Sequence, residues 1–328
     1  MKHIYVTEYG SFLGLEGNLC VVKTKEGIVT SLPLSRIKSI NIHKSASISS
    51  DLVLHCAERG IQVHFIAWNG RSTASINGMH THAIVSLRKA QLFYVSENEK
   101  ACNLSKLFIG GKIANQRIVL QYFSKYHKTE CLFECIEFLK QSLTKLDNIK
   151  PKDFHDNKWR DEILGIEGAA SVYYWRALRE SNLLPKSFIS RDGRGSIEIV
   201  NKALNYGYAI LQSRVWNIIT NAGLEPFAGV LHTDRPGKPS LVLDVMEIYR
   251  SWIIDRNIIK LRSELESSSN LTIGLKKQII NSISKTLSSK ICCKHKKLRL
   301  EALMQRQAYV LAGAFTGNSK YKPIRFKW

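Results

Sequence analysis

The segment Gly229-Val-Leu-His-Thr-Asp-Arg-Pro-Gly-Lys-Pro-Ser-Leu-Val-Leu-Asp-Val-Met-Glu-Ile-Tyr-Arg250 decides how the chain is read. Its apolar start carries His232, Pro236 and Gly237 break the backbone, and a helical pattern restarts near Ser240. Residues three apart share a helix face, so Asp244 and Glu247 can point at one site. Working outward, a third carboxylate, Glu167, stands among Gly165, Gly168, Ala169 and Ala170, small neighbours that let another helix or a nucleic-acid backbone approach. Carboxylates and one imidazole on separate helices are a donor set for a divalent metal working on phosphate esters. Each residue taken alone also has an ordinary reading. Glu167 can be a solvated helix carboxylate, His232 a hydrogen-bonded structural histidine, and Asp244 with Glu247 an exposed face on which Arg250 pairs with Glu247. The apolar neighbours Leu241, Val242, Leu243, Val245 and Met246 argue against full exposure of that helix.

Bulk composition narrows the partners. The 328 residues carry a formal net charge of +21, with 44% hydrophobic residues and 7 prolines. That length buries a full core and usually makes two domains, and the composition excludes a disordered chain. So strong a positive field favours polyanions, of which nucleic acid is the commonest. No run approaches the length of a membrane-spanning helix, and the start Met-Lys-His-Ile-Tyr-Val-Thr-Glu has no signal-peptide apolar region, so a cytoplasmic protein without membrane attachment is expected. The 7 cysteines lack disulfide-framework spacing. Cys131 and Cys135 lie one helical turn apart and read as core packing, since no second pair completes a tetrahedral site, and the run Cys292-Cys293-Lys294-His295 reads as structural because adjacent cysteines rarely chelate one zinc.

Two grammars divide the chain. Ile4–Val6, Phe12–Leu13, Leu19–Val22, Gly27–Val29, Ile37–Ile42, Gln62–Ile66 and Ser72–Ile76 read as short strands, interrupted by one helix capped at Ser49 or Ser50 and ended by Gly60. After Gly78 comes a connection, and from about residue 88 helical periodicity takes over, with helices expected over Lys112–Tyr126, Thr129–Leu146, Asp161–Ser181, Ser196–Ala222, Ser240–Ile259 and Ser289–Ala312. The expected fold is α+β: a small N-terminal β-domain with one helix over residues 1–78, a linker over 79–90, and a larger all-α domain over 91–328. His80 and His82 fall in that linker and read as solvated.

Ordered blocks of residues carry a family resemblance. Leu32-Pro-Leu-Ser-Arg-Ile-Lys, Ala57-Glu-Arg-Gly-Ile-Gln-Val-His-Phe, Gly165-Ile-Glu-Gly-Ala-Ala with Tyr174-Trp175, Asn201-Lys-Ala-Leu-Asn-Tyr-Gly-Tyr-Ala, Ala222-Gly-Leu-Glu-Pro-Phe-Ala-Gly-Val-Leu-His232 and Pro239 to Arg250 resemble, in order and spacing, the CRISPR adaptation integrase family. The resemblance covers most of residues 1–255. It implies a β-domain used for dimerisation and a helical domain holding the active site. It also implies a catalytic metal site of Glu167, His232 and Glu247, with Asp244 beside them as a further ligand or as support behind one. Carboxylate oxygens suit Mg2+ or Mn2+, and the imidazole tilts the preference toward manganese. The implied partners are double-stranded DNA, both spacer precursor and CRISPR repeat, a second copy of the chain, and a small adaptation protein completing a hetero-hexamer. The family often has aspartate at position 247, and it usually has proline after the arginine at 250. Ser251 here leads us to expect a local difference in how the helix ends, without chemical cost.

The implied activity is metal-dependent cleavage and joining of DNA, in which a 3′-hydroxyl attacks a phosphodiester to insert a new spacer. The alternatives are a transposase-like integrase or branched-DNA nuclease outside CRISPR, and a DNA-binding scaffold without turnover. Arg176, Arg191, Arg194, Lys202, Lys296 and Lys297 are the expected DNA contacts. The tail from Lys285 to Trp328, with Glu301 as its single acid, reads equally as phosphate-binding or as solvated.

Overall fold

Near-continuous apolar runs and alternating ones build two different sheets at the N-terminus. In the computed structural model, which describes residues 2–43, 45–67, 72–76, 78, 85–151, 158–193, 195–232, 235–293 and 296–327, the chain divides into two compact units, 1–83 and 84–328. In the first unit β1 (Lys2–Val6), β5 (Ile37–His43) and β7 (Gln62–Ile66) pair in parallel, and β8 (Ser72–Ile76) closes that sheet antiparallel to β7. The central strand β5 is buried on both faces, as expected inside a parallel sheet. A second sheet has the order β4 (Gly27–Pro33), β3 (Leu19–Thr24), β2 (Phe12–Glu16), β6 (Ser47–Ile48). Helix α1 (Ser50–Glu58) starts where the Ser49 side chain accepts from the Leu52 N–H, and ends at Gly60 with φ 66°. Ile4, Ile40, Ile42 and Val63, Leu13 and Cys20 of the other sheet, and Leu52 and Cys56 of α1 form one core.

The second unit is a helical bundle around α3 (Asn98–Ser124), a 27-residue helix that continues the expected Lys112–Tyr126 helix toward its N-terminus. Helices α4 (Glu130–Asp147), α5 (Lys158–Glu180) and α7 (Ser240–Tyr249) pack on it. Helix α2 (Val85–Ser96) begins inside the stretch read as a linker, while His80 and His82 lie outside the described residues. Helix α6 (Ile199–Asn221) is capped by Glu198, whose carboxylate accepts from Val200 and Asn201. After α7 the helix neither stops nor stays regular. Residues Arg250–Asp255 form a π-helical turn, and α8 (Arg256–Lys260), α9 (Arg262–Glu266) and α10 (Ile273–Ser288) follow. The local difference expected at Ser251 is therefore a widened turn that continues the helix and does not end it.

One expected helix is corrected. Lys290–Cys293 (β9) and Lys296–Arg299 (β10) form an antiparallel hairpin, and α11 starts only at Leu300 and runs to Phe315. Successive lysines cannot keep an apolar helix stripe, whereas alternation in a hairpin leaves Lys297 exposed beside a part-buried Leu298. No helix among the described residues is long and apolar enough to cross a membrane.

The basic tail is packed down at two points. Phe326 is buried and stacks on Trp252, with centroids 4.8 Å apart, and the buried Tyr321 meets Phe108 edge-on. Asn115 of α3 ties the pieces together: its amide donates to the carbonyls of Ile248 (2.8 Å) and Ile324 (3.0 Å), and its oxygen accepts from the Phe326 N–H (3.1 Å). Gly111 gives the tail room, since a Cβ there would lie 2.9 Å from the Pro323 Cβ. Asn115→Leu strands three buried backbone groups, and urea denaturation should show the protein destabilised by about 3 kcal/mol.

Candidate metal centre

The chain before α7 is folded around one carboxylate. Asp244 is wholly buried; its Oδ2 accepts from the N–H groups of Val230 (2.7 Å) and Leu231 (3.2 Å), and its Oδ1 from the N–H of His232 (3.2 Å). The His232 ring donates to the same Oδ1 through Nδ1 at 2.5 Å, which leaves Nε2 as the ring atom able to meet a ligand. Gly229 allows the loop to close this tightly, because a Cβ there would lie 2.6 Å from the Ser240 Cβ and 2.8 Å from Asp244 Oδ2. With both oxygens engaged, Asp244 acts as the support that orients His232, an arrangement common behind metal-binding histidines.

One turn further along α7, Glu247 is 4% exposed. Its Oε1 lies 3.1 Å from Arg250 Nη2, and its Oε2 lies 2.9 Å from the Lys112 ammonium. Both Glu247 oxygens are thus paired in charge, one to each cation. The same ammonium contacts Glu167 Oε1 on α5, which also accepts from Ser171 at 3.0 Å. Burial alone would raise the Glu247 carboxyl, but the charges of Arg250, Lys112 and His232 outweigh it and hold its pKa to about 2. For Lys112 burial pulls downward, and Glu247 and Glu167 more than offset it, so the ammonium is held above its ordinary value.

Among the described residues no three His, Cys, Asp or Glu side chains gather tightly enough to hold a metal ion. Glu167 and Glu247 meet through Lys112, and His232 stands near enough to Glu247 to lower its pKa. The donors still fit a hard divalent ion: two carboxylates, a free imidazole nitrogen, and a gap between the carboxylates that a cation of the chain already enters.

A sequence profile of the family described as CRISPR associated protein Cas1 matches residues 4–273. The chain belongs to the Cas1 family. It is 44% identical over 329 residues, the whole of both chains, to a protein of Francisella tularensis subsp. novicida named CRISPR-associated endonuclease Cas1 1. Among solved structures it resembles a casposase bound to integration product (TM-score 0.86, 24% identity, 100% of this chain and 95% of the other). It also resembles a chain of a Cas6-RT-Cas1–Cas2 complex (TM-score 0.81, 18% identity, 100% of this chain and 36% of the other).

The basic residues expected to grip DNA occupy varied places in this Cas1 fold. Arg176 lies nine residues past Glu167 and therefore on the opposite side of α5, where it pairs with Glu134 (2.7 Å) and covers Tyr173. Arg191 donates to Asn201 (2.9 Å) and Asn205 (2.6 Å), and Lys202 to Asn270 (3.0 Å). Lys297 is exposed on β10; Arg194 and the Lys296 side chain lie outside the described residues. Cys131 and Cys135 have sulfurs 3.9 Å apart, and burial pushes the Cys131 thiol up to about 12, which disfavours the thiolate a metal needs. Cys292 is exposed, and the Cys293 side chain, Lys294 and His295 lie outside the described residues.

Residues that the sequence did not single out complete the surroundings. Lys112 had no signal, since a lysine in a long helix ordinarily reads as solvated. Beyond Glu247, Arg250 lies over the Tyr208 ring (4.9 Å), and the hydroxyls of Tyr208 (2.5 Å) and Tyr174 (3.0 Å) donate to buried Asp255. The carboxyl of Asp255 is pushed up, first by burial. Arg256 stacks over Trp252 at 4.0 Å with its buried Nε unpartnered.

A carboxyl held low stabilises the fold above its unfolded pKa of about 4.3 and loses that contribution as pH falls toward 2. Urea unfolding between pH 5 and pH 3 should therefore show a stability loss in the wild type that is smaller in Glu247→Gln.

Proposed function

We propose that this Cas1 enzyme is a divalent-metal-dependent DNA endonuclease and integrase that inserts new spacer DNA into a CRISPR array. The observation that carries the reading is the pairing of a buried Glu247 and a half-buried Glu167 across one ammonium with an imidazole whose Nδ1 is held by Asp244. Glu167, Glu247 and His232 Nε2 would hold Mg2+ or Mn2+, which when bound neutralises charge developing on the phosphate and its leaving oxygen. Asp244 keeps the imidazole in one tautomer and orientation. Arg250 braces Glu247, so its carboxylate keeps one position while DNA changes beside it. With a 3′-hydroxyl as attacking group the outcome is strand transfer; with water it is cleavage.

The family and the Cas1–Cas2 neighbour support a small partner protein, and the casposase neighbour supports DNA as the substrate. In this reading residues 1–78 dimerise, residues 91–328 carry the chemistry, and the assembly with the small partner is a cytoplasmic hetero-hexamer. Purified protein with Mn2+ should join a 3′-hydroxyl DNA duplex to a repeat-containing target. Glu167→Ala and His232→Ala should each lower product by at least about a hundredfold while leaving circular dichroism unchanged. Full activity in both variants would overturn the metal site, and insertion without preference for a repeat would favour a transposase-like integrase.

DNA grip we assign to Arg256, Lys260 and Lys285. Asn257 of α8 donates to Thr286 of α10 at 2.8 Å, which sets Arg256 and Lys285 beside that junction, and Lys260 lies one turn on from Arg256. The Lys260 ammonium is lowered first by burial and then by Arg256 and Lys285, the mark of cations gathered together. Replacing all three by alanine should weaken duplex binding and reduce the salt slope of log K by about 2–3, read by fluorescence anisotropy.

A further inference from the structure

The two carboxylates assigned to the divalent ion are bridged by a cation belonging to the chain. Lys112 is 8% exposed in mid-α3, and its ammonium touches Glu167 Oε1 and lies 2.9 Å from Glu247 Oε2. Its position is set by backbone, not chance. Three residues along the same helix, Asn115 binds the carbonyl of Ile248, the neighbour of Glu247, so α3 and α7 are locked together where the lysine meets the carboxylate. Arg250 holds Glu247 through its other oxygen, and Ser171 donates to the same Glu167 Oε1 that the ammonium contacts.

Two carboxylates facing each other across a partly buried gap repel, and a cation between them removes that repulsion. A divalent ion and an ammonium cannot both stand in contact with the same two oxygens, because their like charges would face each other at contact distance. The four-carbon stem of lysine lets its charge swing aside while α3 stays fixed.

We propose that Lys112 is a resident cation that holds Glu167 and Glu247 in place in the metal-free protein and yields its position when a divalent ion enters, so that metal loading is an exchange of cations. The inference rests on the metal-site reading above and adds a positioning residue to it. It also gives the metal-free site a defined shape, with the ligand oxygens already aimed at one point.

The test is Mn2+ titration of the full chain, followed by electron paramagnetic resonance of the free ion, for wild type, Lys112→Met, Lys112→Arg and Glu167→Gln, with thermal unfolding of each in EDTA and in Mn2+. Removing the competing charge in Lys112→Met should tighten Mn2+ binding by about tenfold or more, lower the midpoint in EDTA, and restore it with Mn2+. Lys112→Arg keeps the charge and should bind Mn2+ no better than wild type, which serves if the methionine variant folds poorly. Equal or weaker Mn2+ binding by Lys112→Met, with Glu167-dependent binding in the wild type, would overturn the exchange and leave the metal site standing. Wild-type binding that is absent, or unchanged in Glu167→Gln, would remove the metal-site reading and this proposal with it.

Discussion

One buried carboxylate organises the centre of the helical unit. Asp244 takes three backbone N–H groups of the 230–232 turn and the ring of His232, so a loop that would otherwise expose unpaired donors is closed onto the first turns of α7. The bond also divides labour within a short stretch of helix. Asp244 faces the loop and is fully satisfied, whereas Glu247, a turn away, faces the Lys112 ammonium that also contacts Glu167. A donor set for a hard ion is thereby held by residues from α5, α7 and the loop before α7, each fixed by a different neighbour.

Much of the architecture was legible because it rests on pattern. Period-two apolar runs gave the strands, and Ser49 and Gly60 bounded the first helix by side-chain capping and a left-handed end. What escaped depended on partners distant in sequence. The 290–299 hairpin left no signal of its own, because a lysine-rich segment has little apolar period of either kind. At Arg250–Asp255 only a local difference at Ser251 was legible; the π-helical form itself belongs to a turn packed against α3, α6 and α10, partners distant in sequence.

The site was legible in its residue types and less so in its roles. Glu167, His232 and Glu247 stood out through ordered blocks, and spacing put Asp244 and Glu247 on neighbouring parts of one face. Spacing alone could not say that Asp244 would be consumed by backbone donors, since that requires the loop to fold back over it. Arg176 shows the opposite case. Nine residues amount to half a turn beyond two full turns, and simple helix geometry already turns it away from Glu167. Lys112 lay beyond reach, because only the assembled bundle shows that its stem is enclosed and its ammonium faces two acids.

The way the tail is fastened bears on biosynthesis. Asn115, in the first of the bundle's long helices, finds two of its three backbone partners at Ile324 and Phe326, and Trp252 finds its stacking face on Phe326. A nascent chain that has emerged only through α10 therefore has the glutamates and the histidine but not the last wedge behind them. Final consolidation of the helical unit must wait until residues 321–327 clear the ribosome, which separates making the candidate site's residues from making their surroundings rigid.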